Sequence, residues 1–259
     1  MSEAAAPAGY EAFAVPGARV VARSAHADAV RRALTNAGTL FAYAAGRPRA
    51  RSLEGRGPAW ATTLPDGTPV VVRHARHGGL LAAITGDLFL APTRAPRELR
   101  TARRLADAGV PTPEIVAYAV YPAFGPFARA DVATRALDGR DFPEAWRAAA
   151  DDAAREALVR GLARLLESLG RARAVHPDLN LKNVFLASEG AALTAYALDV
   201  DRVRFPAVAD ERQAAGLNLL RVMASARKWR VKRGLAIDER DLARRLMDLL
   251  GLPRPAFGR

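Results

Sequence analysis

Apolar and polar residues alternate on either side of a short turn in the first third of the chain. Residues 59–64 and 69–73 are rich in β-branched, aromatic and small apolar residues, and Pro65, Asp66 and Gly67 lie between them. Proline presets φ at the start of a turn, and glycine accepts the positive φ that a tight turn requires. The pattern predicts a β-hairpin.

Apolar residues at helical spacing follow this hairpin. They predict a helix at residues 96–108, and Gly109 directly after it is typical of a helix C-terminus. Two further runs, at residues 115–121 and 130–137, have the composition of strands. The first half of the chain is therefore expected to be rich in β-structure.

Beyond residue 138 the pattern becomes mainly helical. The apolar spacing predicts four helices, at residues 142–155, 156–169, 209–232 and 239–250. We expect an α+β chain of two lobes, residues 1–137 and 138–259, with a cleft between them. Residues 1–45 form an extension with weak signals, in which loops surround a short helix at residues 25–34.

The chain is strongly basic. Its 39 Lys and Arg against 27 Asp and Glu give a formal net charge of +12 at pH 7. This charge attracts three classes of partner: nucleic acid, an anionic membrane surface, or a polyphosphorylated small substrate. Because nearly all of these cations are arginines, genomic base composition also accounts for part of the basicity.

Several simple features favour a cytoplasmic protein. Cysteine is absent, which excludes disulfides and Cys-ligated zinc. No apolar run approaches the roughly 20 residues that a membrane-spanning helix needs. The N-terminal residues have no basic segment followed by an apolar core, as a secretory signal would have.

The strongest chemical signal lies in residues 176–201. Asp178 is followed five residues later by Asn183, and Asp199 comes sixteen residues after Asn183, behind a short apolar run. This order of groups is what phosphoryl transfer from Mg-ATP requires. The first carboxylate can orient an acceptor hydroxyl and take its proton, and the amide and second carboxylate oxygens suit Mg²⁺.

Candidate phosphate-binding groups lie upstream. Gly55 and Gly57 form a Gly-x-Gly turn before the hairpin, which can bring backbone N–H groups close to phosphate. Arg73 ends the second hairpin strand, and Glu98 lies in the following helix. An ion pair between them would hold a cation for the nucleotide phosphates, and the arginine fork binds phosphate at two points.

These segments together resemble the lipopolysaccharide kinases, and most of all the 3-deoxy-D-manno-octulosonic acid (Kdo) kinases among them. The resemblance covers residues 50–225. It is carried by five short stretches, at residues 54–57, 72–80, 97–99, 109–113 and 176–180. The Arg-His-x-x-x-Gly-Gly element at residues 73–79 is the most specific, and arginine at the strand position is normal in that branch.

The resemblance implies a bilobal protein-kinase-like fold, with ATP and Mg²⁺ as cofactors. It implies phosphorylation of a Kdo hydroxyl on a lipid A precursor at the cytoplasmic face of the inner membrane, with an anionic membrane surface as partner. No nucleic acid partner is expected, and the oligomeric state is not specified. The implied roles are catalytic base for Asp178, metal ligands for Asn183 and Asp199, and nucleotide binding for Gly55, Gly57, Arg73 and Glu98.

Two departures from the family pattern concern the metal loop. The family's Asp-Phe-Asp is Asp199-Val200-Asp201 in this chain, and Lys182 precedes the metal asparagine. Lys182 can be interpreted as a phosphate contact or as a solvated side chain. His176 is interpreted as structural, with its ring bonded to a carbonyl near the metal aspartate, whereas His74 and His77 could line the substrate side or be ordinary loop residues.

Other functions stay open on the residues alone. An aminoglycoside-type or heptose phosphotransferase shares the Asp-x-x-x-x-Asn loop, and a basic nucleic-acid-binding protein would match the charge. The helix at residues 209–232 has two interpretations. Leu217, Leu220 and Ala224 could face the core, or the basic cluster of residues 227–233 with Trp229 could dock on anionic headgroups.

Overall fold

The computed structural model describes residues 6–53, 58–75, 87–189 and 192–253. The chain divides into two compact units. The first contains Met1–Arg100 and Glu114–Ala136, and the second contains Thr101–Pro113 and Leu137–Arg259. Strands dominate the first unit and helices the second, as the hydrophobic pattern predicted.

An antiparallel sheet organises the first unit. Its eight strands within the described residues are β1 (Tyr10–Val15), β2 (Ala18–Arg23), β3 (Arg51–Leu53), β4 (Ala59–Thr63), β5 (Pro69–His74), β6 (Phe89–Leu90), β7 (Ile115–Pro122) and β8 (Phe127–Arg135). Their order is β1-β2-β7-β8-β5-β4-β3, and β6 pairs with β8. The sheet places β5, which carries Arg73, between β4 and β8.

The predicted hairpin is confirmed as β4 and β5. Gly67 has φ +85°, and the turn is closed by the Leu64 N–H, which donates to the carbonyl of Thr68 at 2.8 Å. The Asp66 side chain accepts from the Thr68 N–H at 2.9 Å, which is the local bond that favours aspartate in turns. Local turn chemistry therefore sets the register of β5.

Residues 6–45 contain more structure than the sequence indicated. Tyr10 begins a strand rather than a loop, and Pro16-Gly17 is the turn of the β1–β2 hairpin. Helices α1 (Ala27–Ala37) and α2 (Leu40–Ala45) follow. The apolar faces of both helices and of the central strands form one core, which contains Val30, Leu34, Leu40, Val70 and Val72. This segment is therefore part of the first unit and not an appendage.

Helix α3 (Ala95–Asp107) confirms the helix predicted after the hairpin. Gly109 has φ +73° just beyond its end, where glycine avoids the steric cost of a left-handed backbone. The two predicted strands are confirmed as β7 and β8, although β8 begins three residues earlier than expected.

Besides the end of α3, the second unit contains four α-helices and a small sheet among its described residues. The helices are α4 (Phe142–Ala148), α5 (Asp152–Arg171), α6 (Glu211–Arg233) and α7 (Glu239–Leu250), and the sheet is formed by β9 (Gly139–Asp141), β10 (Val184–Glu189) and β11 (Ala192–Ala197) in the order β11-β10-β9. The leucine-rich face of α5 is buried and contacts α6, α7 and β11. This central helix organises the unit.

Helix α5 begins earlier than the sequence predicted. A break was expected between residues 155 and 156, but the break lies at residues 149–151. Asp151 is the reason, because its carboxylate accepts from the Ala154 N–H at 2.7 Å and caps the new helix. At the other end Gly170 permits close packing, since a Cβ there would lie 2.9 Å from the carbonyl oxygen of Glu211.

Of the two interpretations of α6, the one in which Leu217, Leu220 and Ala224 face the core is wrong. Leu217 is 46% and Leu220 66% exposed, and Ala224 is also exposed. The buried face consists of Ala214, Ala215, Asn218, Leu219, Val222, Ser225 and Ala226. The error arose because the buried stripe consists largely of alanine and polar residues, while the larger leucines point outward.

Within the described ranges, no helix combines the length and the hydropathy needed to cross a bilayer.

Candidate nucleotide and metal site

In the first unit, Arg73 and Glu98 form an ion pair. The Arg73 guanidinium donates from Nη2 to Oε1 of Glu98. Glu98 is 5% exposed in the first turn of α3, whereas the Arg73 side chain keeps 32% of its surface accessible. A buried carboxylate thus fixes an arginine whose side chain still reaches solvent, as a cation that binds an anion must.

A carboxylate network holds the residue next to Arg73. Asp131, on β8, is fully buried and accepts from the Phe41 N–H and the Tyr121 hydroxyl, both at 2.9 Å. His74 Nδ1 lies 2.6 Å from the other Asp131 oxygen. The end of β5 is therefore bonded to the neighbouring strand and to the first turn of α2.

His74 is bonded on both ring nitrogens. Its Nε2 lies 2.9 Å from Asp87, and Asp87 also accepts from Arg129 at 2.8 Å. The hydrogen bond to Asp131 raises the pKa of His74, and Asp87 acts in the same direction, although burial opposes both. His74 is thus held as a cation between two carboxylates and does not behave as an exposed loop residue. His77 lies outside the described residues.

In the second unit, a hydrogen-bonded loop carries Asp178 and Asn183. Asn183 is 5% exposed, and its amide nitrogen donates to the backbone carbonyl of Asp178 at 2.8 Å. Asn180 donates to the Asp178 carboxylate at 3.2 Å and caps the 3₁₀ turn Leu181–Asn183 through the Lys182 N–H. Because the amide nitrogen of Asn183 is used by the loop, its side-chain oxygen is the atom suited to a cation.

His176 joins this loop to the chain that carries Asp199. Its Nδ1 accepts from the Asp178 N–H at 3.3 Å, so the neutral ring carries its proton on Nε2. That nitrogen lies 2.9 Å from the Leu198 carbonyl. Burial lowers the pKa of His176, which favours the neutral form that these two bonds need. The structural interpretation of His176 is confirmed.

A second bond links the same two segments. The Leu198 N–H donates to the carbonyl of Asn183 at 2.9 Å, directly before Asp199. Asp199 has φ +54° and ψ +47°, a left-handed conformation that costs energy for a residue with a Cβ. Such strain persists where surrounding contacts impose it, and it is frequent at functional sites. The backbone therefore brings Asn183 and Asp199 together although sixteen residues separate them.

Two polar residues of α6 form hydrogen bonds with the Asp178–Asn183 loop and the segment just before it, and neither was predicted from the sequence. Asn218 is fully buried, accepts from the His176 N–H at 2.9 Å and donates to the Ala174 carbonyl at 2.8 Å. The hydroxyl of Ser225 accepts from the Leu181 N–H at 3.0 Å. Their spacing of seven residues places both on one face of the helix, and this spacing was the available signal.

Lys182 has a structural partner. Its Nζ lies 2.7 Å from Asp141 and 3.7 Å from Glu144, and the bond to Asp141 raises the pKa of the lysine. Asp141 also caps α4 by accepting from the Glu144 N–H at 2.9 Å. Lys182 therefore links the loop to the start of α4 through these ion pairs. This structural role differs from both earlier interpretations, a solvated side chain and a phosphate contact.

The donor set of the second unit suits a hard divalent cation. Asn183 and Asp199 offer an amide oxygen and a carboxylate, which are the ligand types that Mg²⁺ prefers together with phosphate oxygens. Asp178 offers a carboxylate held by Asn180 that can accept a proton. Gly55 and Gly57 lie outside the described residues, so their predicted phosphate contacts stay predictions.

Comparison with known proteins decides the family. The model of the lipopolysaccharide kinase (Kdo/WaaP) family matches residues 43–244, which is more than half of the chain. The chain belongs to the lipopolysaccharide kinase (Kdo/WaaP) family. No curated protein sequence matches the chain.

A solved structure supports the kinase-like fold of this family member. "WaaP in complex with acyl carrier protein" is 21% identical, with a TM-score of 0.50, and the match covers 80% of each chain. At this identity the likeness speaks to fold. The predicted α+β kinase-like fold and the predicted family are confirmed.

Proposed function

We propose that this lipopolysaccharide kinase transfers the γ-phosphate of ATP, with Mg²⁺, to a hydroxyl of Kdo in the inner core of a lipid A precursor. The observation that supports it most is the bonded loop of the second unit. His176 and the Leu198 backbone connect the Asp178–Asn183 loop to Asp199. The three oxygen-bearing residues thus belong to one hydrogen-bonded assembly.

Each residue has a distinct part in the proposed reaction. The acceptor oxygen attacks the γ-phosphorus, the bond to the β-phosphate oxygen breaks, and ADP leaves. Asp178 orients the acceptor hydroxyl and takes its proton. Asn183 and Asp199 would hold Mg²⁺, which neutralises the charge on the phosphates. Arg73, fixed by Glu98, would bind nucleotide phosphate, and Gly55 and Gly57 would add backbone N–H groups.

The acceptor and the location form the finer part of the proposal. The family model names Kdo and WaaP kinases together, so a heptose acceptor is the direct competitor. The Arg-His-x-x-x-Gly-Gly element of residues 73–79 favours Kdo. The enzyme would act at the cytoplasmic face of the inner membrane, where a peripheral protein of net charge +12 would bind anionic lipid.

The test is phosphorylation of defined acceptors. The full chain is incubated with ATP and Mg²⁺ and either Kdo-lipid A or a heptose-bearing acceptor, and mass spectrometry reads which sugar gains a phosphate. Phosphate on Kdo supports the proposal. Phosphate on heptose alone would correct the acceptor but keep the kinase, and transfer to neither would overturn the function.

Variants of the loop test the roles of single residues. Asp178→Ala should lose transfer by about 100-fold or more while ATP binding stays nearly unchanged, because the base contacts the acceptor. Asp199→Ala should instead weaken Mg²⁺-dependent ATP binding. The matched control is Asp28→Ala, whose side chain is 88% exposed on α1 and carries the same charge. Near-normal turnover of Asp178→Ala would refute the proposed role of this residue.

A further inference from the structure

The outward face of α6 combines exposed apolar residues with cations. Leu217, Leu220 and Val231 are 46%, 66% and 64% exposed. Successive residues of a helix are about 100° apart around its axis, so these three side chains and the exposed Ala224 lie within about 60° of the helix circumference. They form a stripe about 21 Å long, whose centre lies roughly 110 to 130° around the helix axis from Asn218 and Ser225. We call this stripe and its neighbouring cations the α6 outer face.

The cations of the α6 outer face are Arg221, Arg227, Lys228 and Lys232, which are all exposed. By helical geometry Arg221, Lys228 and Lys232 lie along one edge of the stripe and Arg227 lies along the other. After Glu211 in its first turn, α6 contains no acidic residue. Within the described part of the chain, no ion pair involves these four cations, whereas the neighbouring Arg230 is paired with Glu239 at 2.6 Å. The face is therefore apolar at its centre, and the charged residues that α6 itself places beside it are all cations.

Trp229 does not belong to this face. Its ring is half-buried, and the guanidinium groups of Arg147 and Arg233 lie 5.3 and 5.9 Å from its centroid. The tryptophan therefore stabilises the end of α6 from the side. The hypothesis that a Trp229-centred cluster contacts lipid is replaced by one centred on Leu217 and Leu220.

We propose that the α6 outer face docks in the plane of an anionic lipid bilayer. An interfacial helix places its apolar residues among the acyl chains while flanking lysines and arginines reach the headgroups, and this face has that distribution. A second copy of the chain does not match it, because two such faces would oppose cation to cation. The choice of a lipid surface rests on the proposed function, since the acceptor is lipid-linked.

The docking face also has a consequence for the site. Asn218 and Ser225 lie on the inner side of the same helix and bind the loop that carries Asp178. The same helix thus carries the proposed bilayer contact and supports the catalytic loop.

Binding of the full chain to vesicles tests the inference. Phosphatidylcholine vesicles with and without phosphatidylglycerol are sedimented with the protein at rising salt. We expect binding to the anionic vesicles alone, weakened by salt. The variant Arg221→Gln/Arg227→Gln/Lys228→Gln should lose about 100-fold in affinity, since each cation near the surface is worth about fivefold. Leu217→Ser/Leu220→Ser should lose about tenfold or more.

Control variants remove an exposed leucine or an exposed arginine from other helices. Leu249→Ser changes a leucine that is 49% exposed on α7, and Arg171→Gln an arginine whose side chain is 57% exposed on α5. Both should bind as the parent does. Equal binding to neutral vesicles, no binding, unchanged binding of the face variants, or the same loss in the controls would overturn the inference. So would capture by soluble poly-glutamate without capture by vesicles, which would indicate an acidic protein partner.

A water-soluble, delipidated acceptor separates this inference from the proposed function. The face variants should phosphorylate it at the parent rate, because no acceptor or nucleotide contact has been removed. If vesicle binding fails while soluble acceptor is phosphorylated, the docking inference falls and the kinase stands. If vesicles bind but no acceptor is phosphorylated, the docking face stands and the proposed activity falls.

Discussion

Replacing Asn218 with alanine tests how the catalytic loop is held. Asn218 is fully buried and makes two hydrogen bonds to backbone, one with the His176 N–H and one with the Ala174 carbonyl. Alanine keeps the helix but removes both bonds. Two buried backbone groups at the start of the loop would then lack their partner.

The size of the effect follows from the two unpaired groups. A buried donor or acceptor that loses its partner costs about 1 to 3 kcal/mol, so two cost roughly 2 to 6 kcal/mol. We expect a loss of about 3 kcal/mol, because water entering the space left by the amide offsets part of it. For a chain of this size such a loss corresponds to a fall of about 6 to 12 °C in Tm.

Urea unfolding of the full chain, followed by circular dichroism, measures this loss. The control is Leu220→Ala on the same helix, which is 66% exposed and should change the free energy of unfolding by less than about 0.5 kcal/mol. Asn218→Asp keeps an acceptor for the His176 N–H but faces the Ala174 carbonyl with an oxygen, so it should be no more stable than Asn218→Ala. A loss below about 0.5 kcal/mol in Asn218→Ala would refute the reasoning.

Three further predictions concern the charged groups. Arg73→Ala should raise the KM for ATP by about tenfold or more, and Arg73→Lys should raise it by less, because lysine keeps the charge but lacks the planar guanidinium. Equal KM values for the parent and both variants would show that Arg73 does not bind the nucleotide. The pKa of His74 is raised from 6.5 by Asp131, so its contribution to stability is present below pH 6.5 and is lost as pH rises through the folded pKa. Urea unfolding from pH 6 to 9 should therefore show the parent losing its advantage over His74→Gln as pH rises, and a constant difference would contradict the assignment. Lys182→Met breaks an ion pair whose lysine side chain is 49% exposed, so it should lower the free energy of unfolding by less than about 1 kcal/mol and leave the KM for ATP unchanged. A large rise in KM would instead support the interpretation of Lys182 as a phosphate contact.

Local signals predicted the elements around Arg73 correctly. Pro65-Asp66-Gly67 supplies a turn whose bonds lie within five residues, and Gly109 ends α3 through its own positive φ. Such features depend on neighbouring residues alone, so the sequence is sufficient to recognise them. The predicted break before α5 was misplaced by a few residues. The apolar pattern is continuous there, and the Asp151 cap decides where the helix begins.

The N-terminal hairpin and the face of α6 were not predicted correctly, for a shared reason. β1 and β2 are short and rich in alanine, and the buried stripe of α6 also consists mainly of small residues. Alanine is neither strongly apolar nor polar, so the period of burial is weak in the sequence. Burial of such residues is decided by the elements that pack against them.

The sequence by itself determined the chemistry: the order of Asp178, Asn183 and Asp199, the Arg73–Glu98 spacing and the basic charge all follow from residue types along the chain. Only the tertiary structure decided what supports that chemistry. Asn218 and Ser225 meet the loop from about forty residues away, and Asp131 reaches His74 from fifty-seven. Side chains so distant in sequence leave no local pattern, because their partners are set by how helices and strands pack.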